Sequence, residues 1–288
     1  MVVTSKPRAS SPGSKADADL AALPDPGQLA MLATRDAVRP DDQALLDAQD
    51  IAYDAWEERD GRRRHALARR ALRVSPFCAD AWLILAARPS LSAQARRAFL
   101  ERALAAGELA LGEGGLKRYK GSFWGMLETR PYMRARHALA EDMWHAGEHE
   151  AAIAHLHDML KLNPGDNQGI RYVLLAWLVS HCDDEGAEAL LRKHGDGGAF
   201  MRYTAALIAF RKSGDSANAR LAAVTAFKCN AHVPCLLGDH RFRHVDTGYY
   251  SPGREDEAGY YVHEYGSAWR AQAGAVSWLI EATQARAL

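Results

Sequence analysis

Three arginines have the chemistry and the spacing to hold the carboxylates of another protein. Arg134, Arg171 and Arg211 lie in successive alanine- and leucine-rich segments of the sequence. A guanidinium group presents a rigid fork of donors that binds a carboxylate through two parallel hydrogen bonds. The predicted contact residues for such a partner are Arg134, Arg171, Arg211, Tyr132, Trp144 and Gln168.

The same arginines have a second interpretation, in which they only hold the chain together. Glu128, Glu141 and Asp166 are close enough in sequence to pair with them. Arginine–carboxylate pairs commonly link neighbouring helices within one protein. The sequence alone leaves both interpretations open.

The most basic stretch of the chain is RRRHALARRALR, residues 62–73. As a helix it places Arg62, Arg69 and Arg73 on one side and leucines on another. A charge run of this kind is usually a solvated helix face, and the acidic EERD at 57–60 precedes it. Nucleic-acid binding by this helix therefore stays an alternative to the binding of a protein partner.

Sequence signatures of catalysis and of metal binding are missing. His145 and His149 are four residues apart, but Gly147 between them predicts a turn, and no HExxH motif occurs. GEGGLKRYKGS at 112–122 does not fit a phosphate-binding loop, and no GxSxG nucleophile motif appears. We therefore expect no catalytic residues, no cofactor and no metal, with an uncharacterised enzyme or metal-binding protein as an alternative.

Composition narrows the class of protein further. The 288 residues include 36 lysines and arginines and 36 aspartates and glutamates, so the net charge is zero and gives no general affinity for nucleic acid. The four cysteines lack the spacing of a disulfide framework or zinc site, which indicates free thiols. The longest apolar run, residues 172–179, is too short to cross a bilayer, so we expect a cytoplasmic protein without membrane contact.

The fold class follows from the pattern of apolar residues. Residues 1–28 are rich in Ser, Pro, Ala and Asp without periodicity, which predicts a disordered tail. From residue 29 to 288, apolar residues recur at helical spacing between short Pro, Gly and Asn-Asp turns. We expect an all-α protein.

The helices also repeat at close to 34 residues, the length of a tetratricopeptide unit. In the clearest unit, Gly147 provides the turn between helix A and helix B, Ala152 is the small residue where the two helices meet, and Pro164 ends helix B. A right-handed α-solenoid with a C-terminal capping helix is predicted. The units and flanking segments are 45–78, 79–112, an insertion at 113–132, 133–166, 167–199, 200–233 and the cap at 234–288.

Two local features have alternative readings. In NPGDNQGIR, residues 163–171, Asp166 or Asn167 is expected to cap the next helix, although this segment could instead open onto a binding groove. In the insertion, Phe123 and Trp124 either fold over the groove or fill the break in the repeat. We favour the second reading.

Several stretches resemble one family in particular: FWGMLETRPYMRAR (123–136), LKLNPGDNQGIRYVLL (160–175), AFKCNAHVPCLLG (226–238) and YYSPGREDEAGYYVHEYGSAW (249–269). They are similar to the bacterial tetratricopeptide-like relatives of the suppressor-of-tumorigenicity-7 proteins. The resemblance covers about residues 70–280 and implies a helical-repeat fold. It implies no biochemical activity.

The predicted function is a non-enzymatic scaffold that binds a peptide or protein segment in a concave groove. Unit positions 2, 5, 9 and 12 of helix A usually point into such a groove, and the unit at 133–166 places Arg134, His137, Glu141 and Trp144 there. A chaperone-binding clamp would need Lys and Asn at positions 5 and 9, where this unit has His137 and Glu141. A partner with acidic character fits the arginines better.

Overall fold

A computed structural model describes residue 20 and residues 22–284 of the chain. The described residues form fifteen α-helices and contain no β-strand, so the protein is all-α as predicted. None of the helices in the described part of the chain is long and apolar enough to span a membrane. The chain divides into two compact units, residues 1–168 (unit 1) and residues 169–288 (unit 2).

The described residues of unit 1 form eight α-helices. We call α2, α4 and α7 its A helices and α3, α5 and α8 its B helices. Each A helix packs against the B helix that follows it, and α4 also packs against both α2 and α7. The bounds are α1 (Pro26–Asp36), α2 (Gln43–Glu57), α3 (Gly61–Val74), α4 (Ala79–Ala86), α5 (Ala93–Ala110), α6 (Gly115–Arg118), a 3-10 turn (Leu127–Thr129), α7 (Arg130–His145) and α8 (His149–Leu162).

Seven α-helices are formed by residues 169–284, the described part of unit 2. Its two A–B pairs are α9 with α10 and α11 with α12, and the long helix α14 packs against both A helices, α9 and α11. The bounds are α9 (Ile170–Ser180), α10 (Asp184–His194), α11 (Ala199–Ser213), α12 (Ala217–Cys229), α13 (Val233–Gly238), α14 (Glu255–Ala271) and α15 (Ala275–Gln284).

Local sequence signals set most of the helix boundaries. Four B helices begin after a capping side chain that accepts a backbone hydrogen bond. The capping residues are Asp60, Ser92, Asp183 and Ser216. Gly147 and Gly214 lie at the turns between paired helices, and both have a positive φ, which glycine adopts without strain.

Positions predicted to be small lie where paired helices meet. Ala71, Ala152, Ala219 and Ala226 are all fully buried. The residues that end three B helices, Ser75, Asn163 and Asn230, occupy the same position of their repeats and are also buried. This recurrence of burial matches the period read from the sequence.

Several boundaries differ from the predicted ones. The first described helix begins at Pro26, inside the predicted tail, because Asp25 and Gln28 form a reciprocal capping box; the tail's residues 1–19 and 21 lie outside the described residues. The N-cap residue of α9 is Gly169, in a left-handed conformation, and not Asp166 or Asn167 as predicted. That prediction was wrong.

The predicted cap at residues 234–288 also contains more than one helix. The helix that carries Tyr261, Tyr265 and Trp269 ends at Ala271, and Val276 belongs to α15. A left-handed Gly274 lies between the two helices. The C-terminal segment therefore contributes two separate helices to unit 2 in addition to α13.

Residues of the predicted insertion pack into unit 1. Phe123 is fully buried, with its ring 5.7 Å from that of Tyr132. The Gly121 N–H donates to the Leu162 carbonyl at 2.7 Å, and Arg130 donates to the Trp124 carbonyl at 3.0 Å. Burial of Phe123 therefore agrees with the reading in which this aromatic fills the gap.

Three helices of unit 1 converge at Gly107. A Cβ atom added there would lie 2.9 Å from the Tyr132 Cα of α7 and 3.3 Å from the Ala79 Cβ of α4. The first of these contacts is with backbone, which cannot move aside as a flexible side chain would. The absence of a side chain at Gly107 is thus what lets α5 approach α7.

We expect Gly107→Ala to destabilise the protein although alanine is the better helix former. Overpacking costs about 1–3 kcal/mol, and the higher helix propensity of alanine offsets about 1 kcal/mol of that cost. Gly61→Ala is the matched control, since nothing lies within 4 Å of its added Cβ. Urea unfolding of both variants measures the difference, and equal stability of the two would contradict the close approach.

Candidate functional site

The A helices of unit 1 share one face on which polar and apolar side chains alternate. On α2 this face carries Leu46, Gln49, Tyr53 and Trp56, which recur every three or four residues. Asp80 and Leu83 continue it on α4. The residues that α7 adds are Arg134, Ala138, Glu141 and His145.

A buried ion pair lies at the centre of this face. Arg134 Nε donates to Asp80 Oδ1 at 2.9 Å, and Arg134 Nη2 donates to Asp80 Oδ2 at 2.5 Å. The Asp80 side chain is 0% exposed and that of Arg134 is 20% exposed. Gln49 adds a third hydrogen bond to the carboxylate, from Nε2 to Oδ2 at 2.6 Å. One cluster therefore joins all three A helices of unit 1.

The Arg134 guanidinium is held by its surroundings on several sides. Its carbon lies 5.1 Å from the centre of the Trp56 ring, in cation–π geometry. Burial disfavours the charged form, but the hydrogen bonds and charge of Asp80, with a smaller contribution from Tyr53, outweigh it and raise the pKa of Arg134. Arg134 thus stays charged and fixed in place.

The larger of two cavities on this face has a volume of about 1010 Å³. Four arginines and two histidines line it against two carboxylates, Glu141 and Asp142, and Asp142 accepts a hydrogen bond from Arg97 at 2.7 Å. The cationic and titratable lining residues are Arg64, His65, Arg88, Arg96, Arg134 and His145. Trp56 and Leu83 supply apolar surface.

The electrostatic character of this cavity shows in one of its histidines. Burial, and then the positive charges of Arg88, Arg69 and Arg64, lower the pKa of His65 below its ordinary value. Arg64 donates two hydrogen bonds to the Glu58 carbonyl, at 2.9 and 2.7 Å, which orient the guanidinium without neutralising it. The wall formed by α3 and the end of α4 is therefore positive and favours anions.

A smaller cavity of about 610 Å³ lies at the other end of the same face. Leu45, Phe77, Ala79 and Pro131 are among its apolar lining residues. The charged residues that line it are Asp41, Asp50, Glu128 and Arg118. Its lining thus carries more negative than positive charge, the reverse of the larger cavity.

The structure does not bring the predicted contact residues of unit 1 together as one surface. Arg134 lines the larger cavity, and its partner Asp80 is not one of the carboxylates named from the sequence. Tyr132 is buried and accepts a hydrogen bond from Arg136 at 2.6 Å. Trp144 packs edge-to-face on His149 with ring centres 4.2 Å apart. Neither Tyr132 nor Trp144 is among the lining residues, nor is Gln168, the last residue of unit 1.

The two predicted arginines of unit 2 are also paired within the chain. Arg171 Nη2 lies 3.2 Å from Asp196 Oδ2, and its guanidinium lies 4.3 Å from the centre of the Tyr172 ring. Arg211 donates to Asp184 at 2.8 Å and to the Val179 carbonyl at 3.0 Å. Asp196 and Asp184 were not among the carboxylates named from the sequence as partners of these arginines.

The A-helix face of unit 2 is covered by α14. Tyr265 donates to the Tyr172 carbonyl at 2.6 Å, and the Phe200 ring meets those of Tyr261 and Tyr265 at 5.6 and 5.8 Å. Arg211, whose side chain is only 9% exposed, donates to the Ala268 carbonyl of α14 at 3.3 Å. The chain's own helix therefore occupies the surface on which unit 2 was expected to bind a partner.

Residues of the first repeat were missed as candidates. Leu46, Gln49, Tyr53 and Trp56 occupy positions 2, 5, 9 and 12 of the unit that begins at Leu45. The rule that was applied to the later units would have identified all four. The arginines of α3 were recognised as a basic run, but no sequence signal showed that Arg64 and His65 face the cavity.

The described residues contain no group of three or more His, Cys, Asp or Glu side chains placed to hold a metal ion. His145 ends α7 and His149 begins α8, on either side of the Gly147 turn.

No protein-family model, curated protein or solved structure matches the chain.

We expect Asp80→Ala to lower the free energy of unfolding by about 3–5 kcal/mol, because it leaves the Arg134 charge buried without its partner. Replacing both residues, as Asp80→Leu with Arg134→Met, should cost less than Asp80→Ala alone. Asp36→Ala, which breaks the exposed pair with Arg35, is the control and should leave stability unchanged. Chemical denaturation checks all three, and a small effect of Asp80→Ala would contradict the structural role of the pair.

Proposed function

We propose that this protein is a non-enzymatic scaffold whose unit 1 binds an acidic segment of a protein partner on its A-helix face. Unit 1 would be a solenoid of tetratricopeptide-like helix pairs, as the recurring alanines and buried helix-ending residues suggest. The larger cavity carries the proposal, because its lining combines excess positive charge with exposed aromatic surface.

The size of the cavity suits a segment of polypeptide. At about 1010 Å³ it is at the upper end of the range of ligand cavities, so it has room for several side chains. Clusters of arginine are the usual recognition element for acidic motifs. Arg96 is exposed on the rim, while Arg134 and Arg64 are held in place by Asp80 and by the Glu58 carbonyl. Preorganised cations lose little entropy when they bind an anion.

The distribution of polar residues between the two units supports unit 1 as the binding part. Four of the equivalent positions on α9 and α11 are apolar and buried within unit 2: Leu175, Leu178, Met201 and Ile208. On α2 and α7 the corresponding residues Gln49, Tyr53 and Glu141 are polar. Polar, solvated faces are suited to reversible binding, whereas apolar faces become part of a core.

We expect Arg96→Glu to reduce binding of a labelled hexaglutamate peptide to the intact protein at least tenfold. Arg96 is exposed, so its reversal removes an attractive charge and adds a repulsive one without disturbing the Asp80–Arg134 pair. Fluorescence anisotropy at low salt measures the affinity. Arg192→Glu, at an exposed position of unit 2, is the matched control. Equal binding by wild type and Arg96→Glu would contradict the proposed site.

The same peptide should raise the pKa of His65. The free protein holds this pKa below 6.5 through burial and nearby arginines, and an added negative charge offsets the arginines. Since the bound state then takes up a proton, affinity should increase as pH falls from about 7.5 to about 6. Histidine NMR with and without peptide reports the pKa, and His65→Gln assigns the signal. An unchanged pKa at saturation would place the peptide elsewhere.

A further inference from the structure

The smaller cavity is not used by the function proposed above, yet the same helix face forms it. Leu46 and Gln49 of α2 line the smaller cavity, Tyr53 lies at its edge, and Trp56 lines the larger one. The Gln49–Asp80–Arg134 cluster lies between the two cavities. One partner segment that follows α2 would therefore pass from one cavity into the other.

Exposed apolar side chains surround the smaller cavity. Leu46 is 45% exposed, Tyr53 is 43% exposed and Leu127 is 66% exposed. Met126, next to Leu127 in the insertion, is exposed as well. Scattered exposed leucines are ordinary, but several around one concavity indicate a place where apolar groups of a partner are buried.

The charges of this cavity select the partner's flanking residues. Asp41, Asp50 and Glu128 carry three negative charges against the single positive charge of Arg118. The Arg118 guanidinium donates to the Glu113 carbonyl at 3.2 Å and lies over its neighbour's ring, Tyr119. A basic residue next to the buried apolar one is therefore favoured, and an acidic one is repelled.

We propose that the smaller cavity is a second subsite, which takes an apolar side chain flanked by a basic residue from the same segment whose acidic stretch fills the larger cavity. This inference rests on the proposed function, since it assigns a second half to the same partner. The partner is thus a bipartite protein segment, acidic at one end and apolar and basic at the other.

Helix geometry sets the spacing between the two halves. Leu46 and Trp56 are ten residues apart on α2, which corresponds to about 15 Å along the helix axis. An extended chain advances about 3.3 Å per residue, so about five residues of partner separate the centres of the acidic and apolar halves. Occupying both cavities with one chain makes the second contact intramolecular and strengthens binding without new contacts.

Selection of random dodecapeptides by phage display against the full-length protein tests the inference. We expect enriched sequences to carry acidic residues and an apolar–basic pair about five positions apart. Selection against Leu127→Glu should lose the preference for the apolar residue, which leaves the apolar–basic pair unenriched, and keep the acidic preference. Leu221→Glu is the matched control, because Leu221 is also 66% exposed and lies in unit 2. Circular dichroism checks that every variant is folded.

Affinities of one enriched peptide complete the test. Asp50→Lys should weaken the whole peptide at least tenfold and leave its acidic half, synthesised alone, with unchanged affinity. Enrichment of acidic residues only, insensitive to Leu127→Glu and Asp50→Lys, would overturn the second subsite and leave the proposed function standing. Enrichment that does not depend on Arg96, or no enrichment at all, would overturn both.

Discussion

The buried pair between Asp80 and Arg134 is the interaction on which the arrangement of unit 1 depends. It connects α4 to α7, and Gln49 extends it to α2, so three helices that are distant in sequence are fixed by one carboxylate. Removing two charges from water costs several kcal/mol for each ion, which the pair recovers only in good geometry. A misaligned arrangement of these helices would leave a buried charge without a partner. Removing one partner of the pair is therefore more costly than replacing both with apolar residues.

The same cluster shapes the surface that we propose binds a partner. Arg134 is packed against Trp56 and bonded to Asp80, so it forms a rigid ridge and not a mobile side chain. On one side of the ridge the lining is basic, and on the other it is apolar with acidic residues at its edge. A single structural contact thus separates two chemically opposite surfaces. Their opposite charges would orient a bound segment as well as attract it.

The two units use equivalent helix faces in different ways, and the difference follows from residue type. In unit 2 the A helices bury apolar residues such as Leu175 and Leu178, and α14 packs against both A helices, with Tyr261 and Tyr265 against the Phe200 ring. Burying such a face stabilises the fold by the hydrophobic effect. Arg211 there donates hydrogen bonds to the Val179 and Ala268 carbonyls. In unit 1 the polar residues on the face would lose hydration if a helix covered them. That face is left open to solvent.

The sequence by itself determined the features that depend on near neighbours. Helical periodicity, capping residues and turn glycines act within a few residues, so the all-α class, the turns at Gly147 and Gly214 and the buried alanines were predictable. Position rules for helix A would also have identified Leu46, Tyr53 and Trp56. The predicted N-cap of α9 was wrong, because the helix begins after the left-handed Gly169 and not directly after Asp166 or Asn167.

Only the tertiary structure decided the partners of the charged residues. Arg134 and Asp80 are 54 residues apart, and Arg211 and Asp184 are 27 apart, so their pairing depends on which helices pack together. Several carboxylates were equally available by sequence, and a salt bridge carries no periodic signal. The covering of α9 and α11 by α14 was hidden for the same reason, since an apolar stripe shows that a face is buried but not which element buries it.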